Sequence, residues 1–182
     1  MDYVEYFKPN YSIIEHDPAS ACTPWYNFKG PGTSDLAPIY ELEVETSMPA
    51  TWCASVYGGT TGLSRALTTA NPDVLVCVAG GVAYYIAVDR PEEYSVLPIR
   101  AVRDSLCDEP TQRVLLIAWT SVLGLSADHL DLWHARHLVS DGFTNYYTTT
   151  DGRLVLRGFD APSNADVEIV LDVVTGEVLD RW

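Results

Sequence analysis

The run from Trp133 to Trp182 constrains the fold more than any other part of the chain, because it reads as two successive β-hairpins punctuated by Asp151-Gly152 and Thr175-Gly176. Residues 143–150 (FTNYYTTT) and 153–159 (RLVLRGF) are rich in aromatic and β-branched side chains, which suit a pleated, half-buried surface. Asp-Gly between them supplies the positive φ angles of a type I′ turn. On the second arm Leu154 and Leu156 share one face while Arg153, Val155 and Arg157 share the other, the period-two alternation of a strand with one face on a core. Val167, Ile169 and Leu171 then alternate with Asp166, Glu168 and Asp172, with Val170 breaking the pattern. Val174-Thr175-Gly176-Glu177 turns the chain into a final strand through Val178 and Leu179.

Upstream, Ile39 to Glu45 is the first clear strand, with Tyr40, Leu42 and Val44 on one face and Glu41, Glu43 and Glu45 on the other. Residues 52–57 (WCASVY) form a second, ended by Gly58-Gly59, and 60–70 has room for one helical turn. The nearly continuous apolar runs 73–79 and 82–88 flank Gly80-Gly81, a two-residue loop that favours a tight and central hairpin. Residues 97–108 are ambiguous, since Ile99, Val102 and Leu106 match helical spacing in a short stretch that begins at Pro98. Val114 to Leu125 returns to strand composition around Trp119. Residues 1–37 differ from all of this: seven aromatics stand among Pro9, Pro18, Pro24, Gly30, Pro31 and Gly32 with neither helical nor strand period. They are expected to form an irregular arm packed on one antiparallel β domain spanning 38–182.

The spacing Trp133, Arg136-His137-Leu138, Asp141-Gly142, Asp151-Gly152, Gly158, Asp160 and Asp172…Thr175-Gly176 resembles a pattern in small uncharacterised bacterial β-proteins, and also one blade of a propeller-type repeat. The resemblance covers the last third of the chain and implies no function. For 127–139, where Ser126 would suit a helix cap, it favours a strand at 131–139. The expected fold is mainly β, with antiparallel hairpins in a sandwich or partial propeller-like arrangement and at most one or two short helices; α+β is the alternative.

Composition narrows function by exclusion. The net charge of −14 arises from 25 acids against 11 bases, and only Lys8 and Lys29 are lysines. Nucleic acid and anionic membranes are bound through clustered Lys and Arg, so neither is an expected partner. A chain of 182 residues buries roughly 70% of its unfolded surface and needs no metal or disulfide to hold together. Cys22, Cys53, Cys77 and Cys107 lack C-x-x-C spacing. The first residues, MDYVEYFKPN, lack the pattern of a secretory signal, which favours a cytoplasmic setting with reduced thiols. The longest uncharged apolar stretch, Val74 to Val88, is shorter than the roughly 20 residues that cross a bilayer as a helix.

Few constellations carry chemistry. His129, His134 and His137 with Asp128 and Asp131 are the densest group of metal-ligand types, but they do not match H-E-x-x-H, and a strand would send His134 and His137 to opposite faces. No metal and no cofactor is expected. Gly58-Gly59-Thr60-Thr61-Gly62, followed by Ser64-Arg65, lacks the lysine and spacing of a phosphate loop and reads as turn chemistry. Glu41, Glu43 and Glu45 stand about 6.6–6.8 Å apart along one strand face, a spacing shared by glycosidase acid pairs and by ordinary solvent faces. There is no G-x-S-x-G elbow. The expectation is a non-catalytic binding protein, inhibitor- or immunity-like, whose acidic surface engages a basic protein, with Glu41, Glu43, Glu45, Trp119 and Trp133 as candidate binding residues. The alternative is a hydrolase or sugar-binding protein with a cleft lined by Trp52, Trp119 and Trp133.

Overall fold

The computed structural model describes residues 2–31, 33, 37–47, 50–60, 62–127 and 132–182. The chain is mainly β, with antiparallel-rich sheets and a single turn of 3-10 helix at Pro91–Glu93 among the described residues. In chain order the strands are β1 (Asp2–Val4), β2 (Tyr11–Glu15), β3 (Trp25–Phe28), β4 (Tyr40–Thr46), β5 (Thr51–Val56), β6 (Arg65–Thr68), β7 (Val74–Ala79), β8 (Val82–Ala87) and β9 (Ser95–Val96). They continue with β10 (Val102–Asp108), β11 (Arg113–Ala118), β12 (Val122–Leu125), β13 (Leu132–Ala135), β14 (Phe143–Thr148), β15 (Arg153–Asp160), β16 (Ala165–Asp172) and β17 (Val178–Arg181). The chain divides into two compact units, Met1–Val102 and Arg103–Trp182.

The first unit holds two sheets, with strand orders β2-β4-β5-β3 and β1-β6-β7-β8-β9. Their apolar faces meet in one core: Leu42, Val44, Trp52, Ala54 and Val56 from one sheet cluster with Leu75, Cys77, Tyr84 and Ile86 from the other, and Phe28 joins them. The alternation in β4 is what makes this possible, because Tyr40, Leu42 and Val44 are buried while the intervening glutamates face away. The β7–β8 hairpin forms at Gly80-Gly81 as expected, with Ala79 opposite Val82 and both glycines at positive φ (50° and 83°). β7 is buried along its whole length and lies at the middle of its sheet.

Residues 1–37 depart from the expected irregular arm: they supply the three short strands β1, β2 and β3. Each lies at a sheet edge, and β1 and β3 join in parallel, to β6 and β5. Such strands bury only one residue or none (Tyr11 in β2, Phe28 in β3), so they leave no alternation to read. The helical turn expected within 60–70 is instead β6, and 97–108 is non-helical, an irregular stretch with Ala101 at φ 54° that leads into β10.

In the second unit two meanders, β10-β11-β12-β13 and β14-β15-β16-β17, share a core of Leu115, Ile117, Val122, Leu154, Leu156, Ile169 and Leu171. The strand expected at 131–139 is present as β13, shorter than anticipated; His137, at φ 55°, lies beyond its end. The Asp151-Gly152 turn is not type I′. Only Gly152 takes a positive φ (75°), Gly152 N–H donates to the Thr149 carbonyl, and Thr149 N–H donates to the Arg153 carbonyl. This is the three-residue loop built on a type I turn with a glycine bulge.

Candidate functional site: the outer face of the first sheet

Because alternate residues of a strand share a face, the register of the β2-β4-β5-β3 sheet fixes what its outer surface carries. Glu45 lies opposite Ser12 of β2, Glu43 opposite Cys53 of β5, and Glu41 opposite Ser55; Trp25 of β3 pairs in turn with Cys53. The three glutamates therefore form a row on a central strand, flanked by hydroxyls, a sulfur and an indole. β4 is not an edge strand, so the row does not serve to discourage edge pairing.

Each carboxylate finds a neutral donor. Ser12 Oγ donates to Glu45 (3.1 Å), Ser20 Oγ donates to Glu43 (3.2 Å), and Ser55 Oγ donates to Glu41 (2.9 Å). The Trp25 indole N–H donates to Ser55 Oγ at 3.1 Å, extending that chain to the sheet edge. Among the described residues none of the three glutamates has a Lys or Arg partner within ion-pair distance; the nearest basic group is the His16 imidazole, 3.8 Å from Glu43.

Residues 16–24, between β2 and β3, are fastened to this face. His16 N–H donates to the Glu41 carbonyl (3.3 Å), Cys53 N–H donates to the Pro24 carbonyl (2.9 Å), and a disulfide joins Cys22 to Cys53. Cys53 is consequently buried although it lies on the outward side of β5. The His16 imidazole, only 4% exposed, sits with Nδ1 3.5 Å from Cys53 Sγ and 3.8 Å from Glu43 Oε2, and its ring meets Trp25 edge-on at 4.7 Å. The ligand atoms of His16, Glu43 and Cys53 all lie within 4.8 Å of one another. This cluster was missed in the sequence, where His16 and Cys22 fall in a segment without period. The readable signal was Cys53, the one thiol at a polar-face position of a patterned strand.

The remaining candidates are dispersed. Trp52 is buried and its indole N–H donates to the Val88 carbonyl (3.0 Å). Trp133 packs on Gly124 and Gly176 and donates to the Val173 carbonyl (2.9 Å). Both rings are structural. Trp119 is 41% exposed, carries the Arg103 guanidinium over its ring at 4.0 Å and rests against Gly142. A cleft of about 480 Å³ beside Arg103 is lined by Ile117, Phe143, Thr144, Asn145 and Tyr146, none of them a carboxylate.

Of the histidine cluster, Asp128, His129 and Asp131 lie outside the described residues. His134 Nδ1 accepts from Arg136 Nε at 3.0 Å, and burial, then Arg136, pushes its pKa down. The glycine loop serves packing: Gly58 and Gly59 lie against the backbone of Ala79 and Gly80, and Ser64 Oγ accepts from Gly80 N–H. No protein-family model matches the chain, and no curated protein is significantly similar to it.

Proposed function

We propose that the protein is a non-catalytic binding module whose first sheet presents an acidic face to a basic protein segment. The observation that supports this reading is the Glu41, Glu43 and Glu45 row, whose carboxylates accept from serine hydroxyls and, among the described residues, have no Lys or Arg within ion-pair distance. Rigid, uncompensated like charges cost stability in the free protein, and a basic partner relieves that cost while being steered in over a distance of about 10 Å at moderate salt. The net charge of −14 reinforces the steering.

The sugar-binding or hydrolytic alternative draws less support. Two of its three tryptophans are committed to packing, the third is stacked under Arg103, and the cleft beside Arg103 is lined by no acid. No helix of the described residues is long and apolar enough to cross a membrane. We keep the cytoplasmic reading, from which the Cys22–Cys53 disulfide departs in that reduced thiols were expected there; in that setting it is a bond that the surrounding thiol pool acts upon.

The test is affinity capture with the oxidised chain at low and high ionic strength, repeated with the Glu43→Gln/Glu45→Gln double variant. The reading expects basic partners that are lost at high salt and lost again with the variant. Recovery of acidic partners, or of partners indifferent to both changes, overturns it.

A further inference from the structure

We propose that His16, Cys22, Glu43 and Cys53 form a binding site for a borderline-soft divalent cation of the zinc class, closed while the Cys22–Cys53 disulfide is intact and opened by its reduction. Four donors of the right kinds converge here: one imidazole nitrogen, one carboxylate and two sulfurs. In a tetrahedral zinc site, with metal–sulfur bonds near 2.3 Å and metal–nitrogen bonds near 2.05 Å, nitrogen and sulfur stand about 3.5 Å apart. His16 Nδ1 and Cys53 Sγ are already 3.5 Å apart, and Nδ1 lies 3.8 Å from the Glu43 carboxylate.

The surroundings behave like those of a built site. The His16 side chain is nearly all buried and its ring is fixed edge-on against Trp25, so Nδ1 is held toward the other donors. Ser20 Oγ donates to Glu43 Oε2, orienting the carboxylate as outer partners of metal ligands do. Cys53 is locked in β5, opposite Glu43. Only Cys22 has to move, swinging its sulfur from bonding distance of Cys53 to the wider separation of two thiolates on one metal. It belongs to residues 16–24, outside any strand, and is half-buried. The mixture of nitrogen, sulfur and one carboxylate selects zinc-like ions over magnesium or calcium, which take oxygen donors.

The redox step balances with an ordinary cellular thiol. One external thiolate attacks Cys22 Sγ, the accessible sulfur, releasing Cys53 as the leaving group. A second external thiol resolves the mixed disulfide, so two electrons pass to the protein and the reductant leaves as its own disulfide. Cys22 and Cys53 are then thiols, and a divalent cation binds them as thiolates with release of their two protons to solvent. A cation would bind here whether or not the glutamate face docks a partner.

Cobalt(II), a spectroscopic substitute for zinc, is the probe. It is added to the full chain before and after phosphine reduction, with near-ultraviolet circular dichroism recorded alongside. The oxidised chain should give no thiolate-to-cobalt charge-transfer band. The reduced chain should give one that saturates at one ion per chain, with the d–d bands of tetrahedral cobalt, and lose it on adding zinc. Cys22→Ser and Cys53→Ser should each abolish the site. His16→Ala and Glu43→Gln should weaken it by at least about tenfold. Cys77→Ala and Cys107→Ser should leave it unchanged. If reduction unfolds the metal-free chain, zinc must restore the native dichroism in wild type and fail to do so in Cys53→Ser. A reduced chain that takes up cobalt without the band, a band that survives Cys53→Ser, or a reduced chain that zinc does not refold overturns the proposal. Salt-dependent capture by the oxidised chain reads the docking face separately, so either result can fail alone.

Discussion

Asp172 illustrates how single side chains set the turns of this protein. Its carboxylate accepts from the Thr175 and Val174 amides, both at 2.8 Å, and from the Thr175 hydroxyl at 3.2 Å. The Thr175 amide, more than any other group, holds its pKa below the usual carboxylate range. A depressed folded-state pKa gives stability that is fully present above the unfolded value and disappears as pH falls through the folded one. Asp172→Asn should therefore cost about 1 kcal/mol at neutral pH, the low end because the group is open to solvent, and little in strong acid. Urea denaturation at both pH values checks this; an equal loss at both would contradict it. Burial pushes the Cys77 thiol up to about 12, and Cys107 up to about 11. Both should resist alkylation in the native chain at neutral pH, read by mass spectrometry. At this scale the sequence was legible where alternation operates, as at Leu154 and Leu156, both fully buried. It was silent on His16, whose role depends on a strand more than twenty residues away.

Among the elements, the β7–β8 hairpin was readable from its turn glycines, and that turn has no room for a side chain at Gly80. A Cβ on Gly80, already at φ 50°, would stand 2.0 Å from the Gly59 carbonyl oxygen. Gly80→Ala should therefore destabilise by roughly 2–3 kcal/mol, and a melting temperature equal to wild type would show that this close approach is absent. The C-terminal strand was foreseen, but not its exposure. Val178 and Leu179 are 51% and 49% exposed, because β17 is an edge strand held mainly by its ladder. Deleting 177–182 removes the β16–β17 ladder as well as the Asp172–Glu177 bond and both Glu168–Trp182 bonds, so the loss should be at least about 2–4 kcal/mol, with little from apolar burial. A truncated chain as stable as the parent would make the strand dispensable. The disulfide closes a sequence separation of 31, for which chain entropy gives about 3–4 kcal/mol of stabilisation. It was invisible in advance because a pairing set by parallel β3 lying beside β5 leaves no spacing rule in the sequence.

At the scale of the molecule, hairpin chemistry and charge were both readable, and they gave the mainly β class and the acidic character. The division at Val102 was not, since Ile99 and Val102 are buried and the boundary lacks the polar, flexible composition that usually marks one. Nor was the fastening of residues 16–24 beside the glutamate row, where His16 and Ser20 meet Glu43 while Glu45 stays exposed. Net charge alone predicts attraction spread over the whole surface, whereas an ordered row predicts that a few carboxylates dominate. Association of the oxidised chain with its captured basic partner, measured across ionic strength for wild type and Glu43→Gln/Glu45→Gln, separates these directly. The acidic-face account predicts binding that weakens steeply with salt, and a double variant that stays folded but binds at least about tenfold more weakly at low salt, with a shallower salt dependence. Equal affinity and equal salt dependence in the two proteins would contradict it.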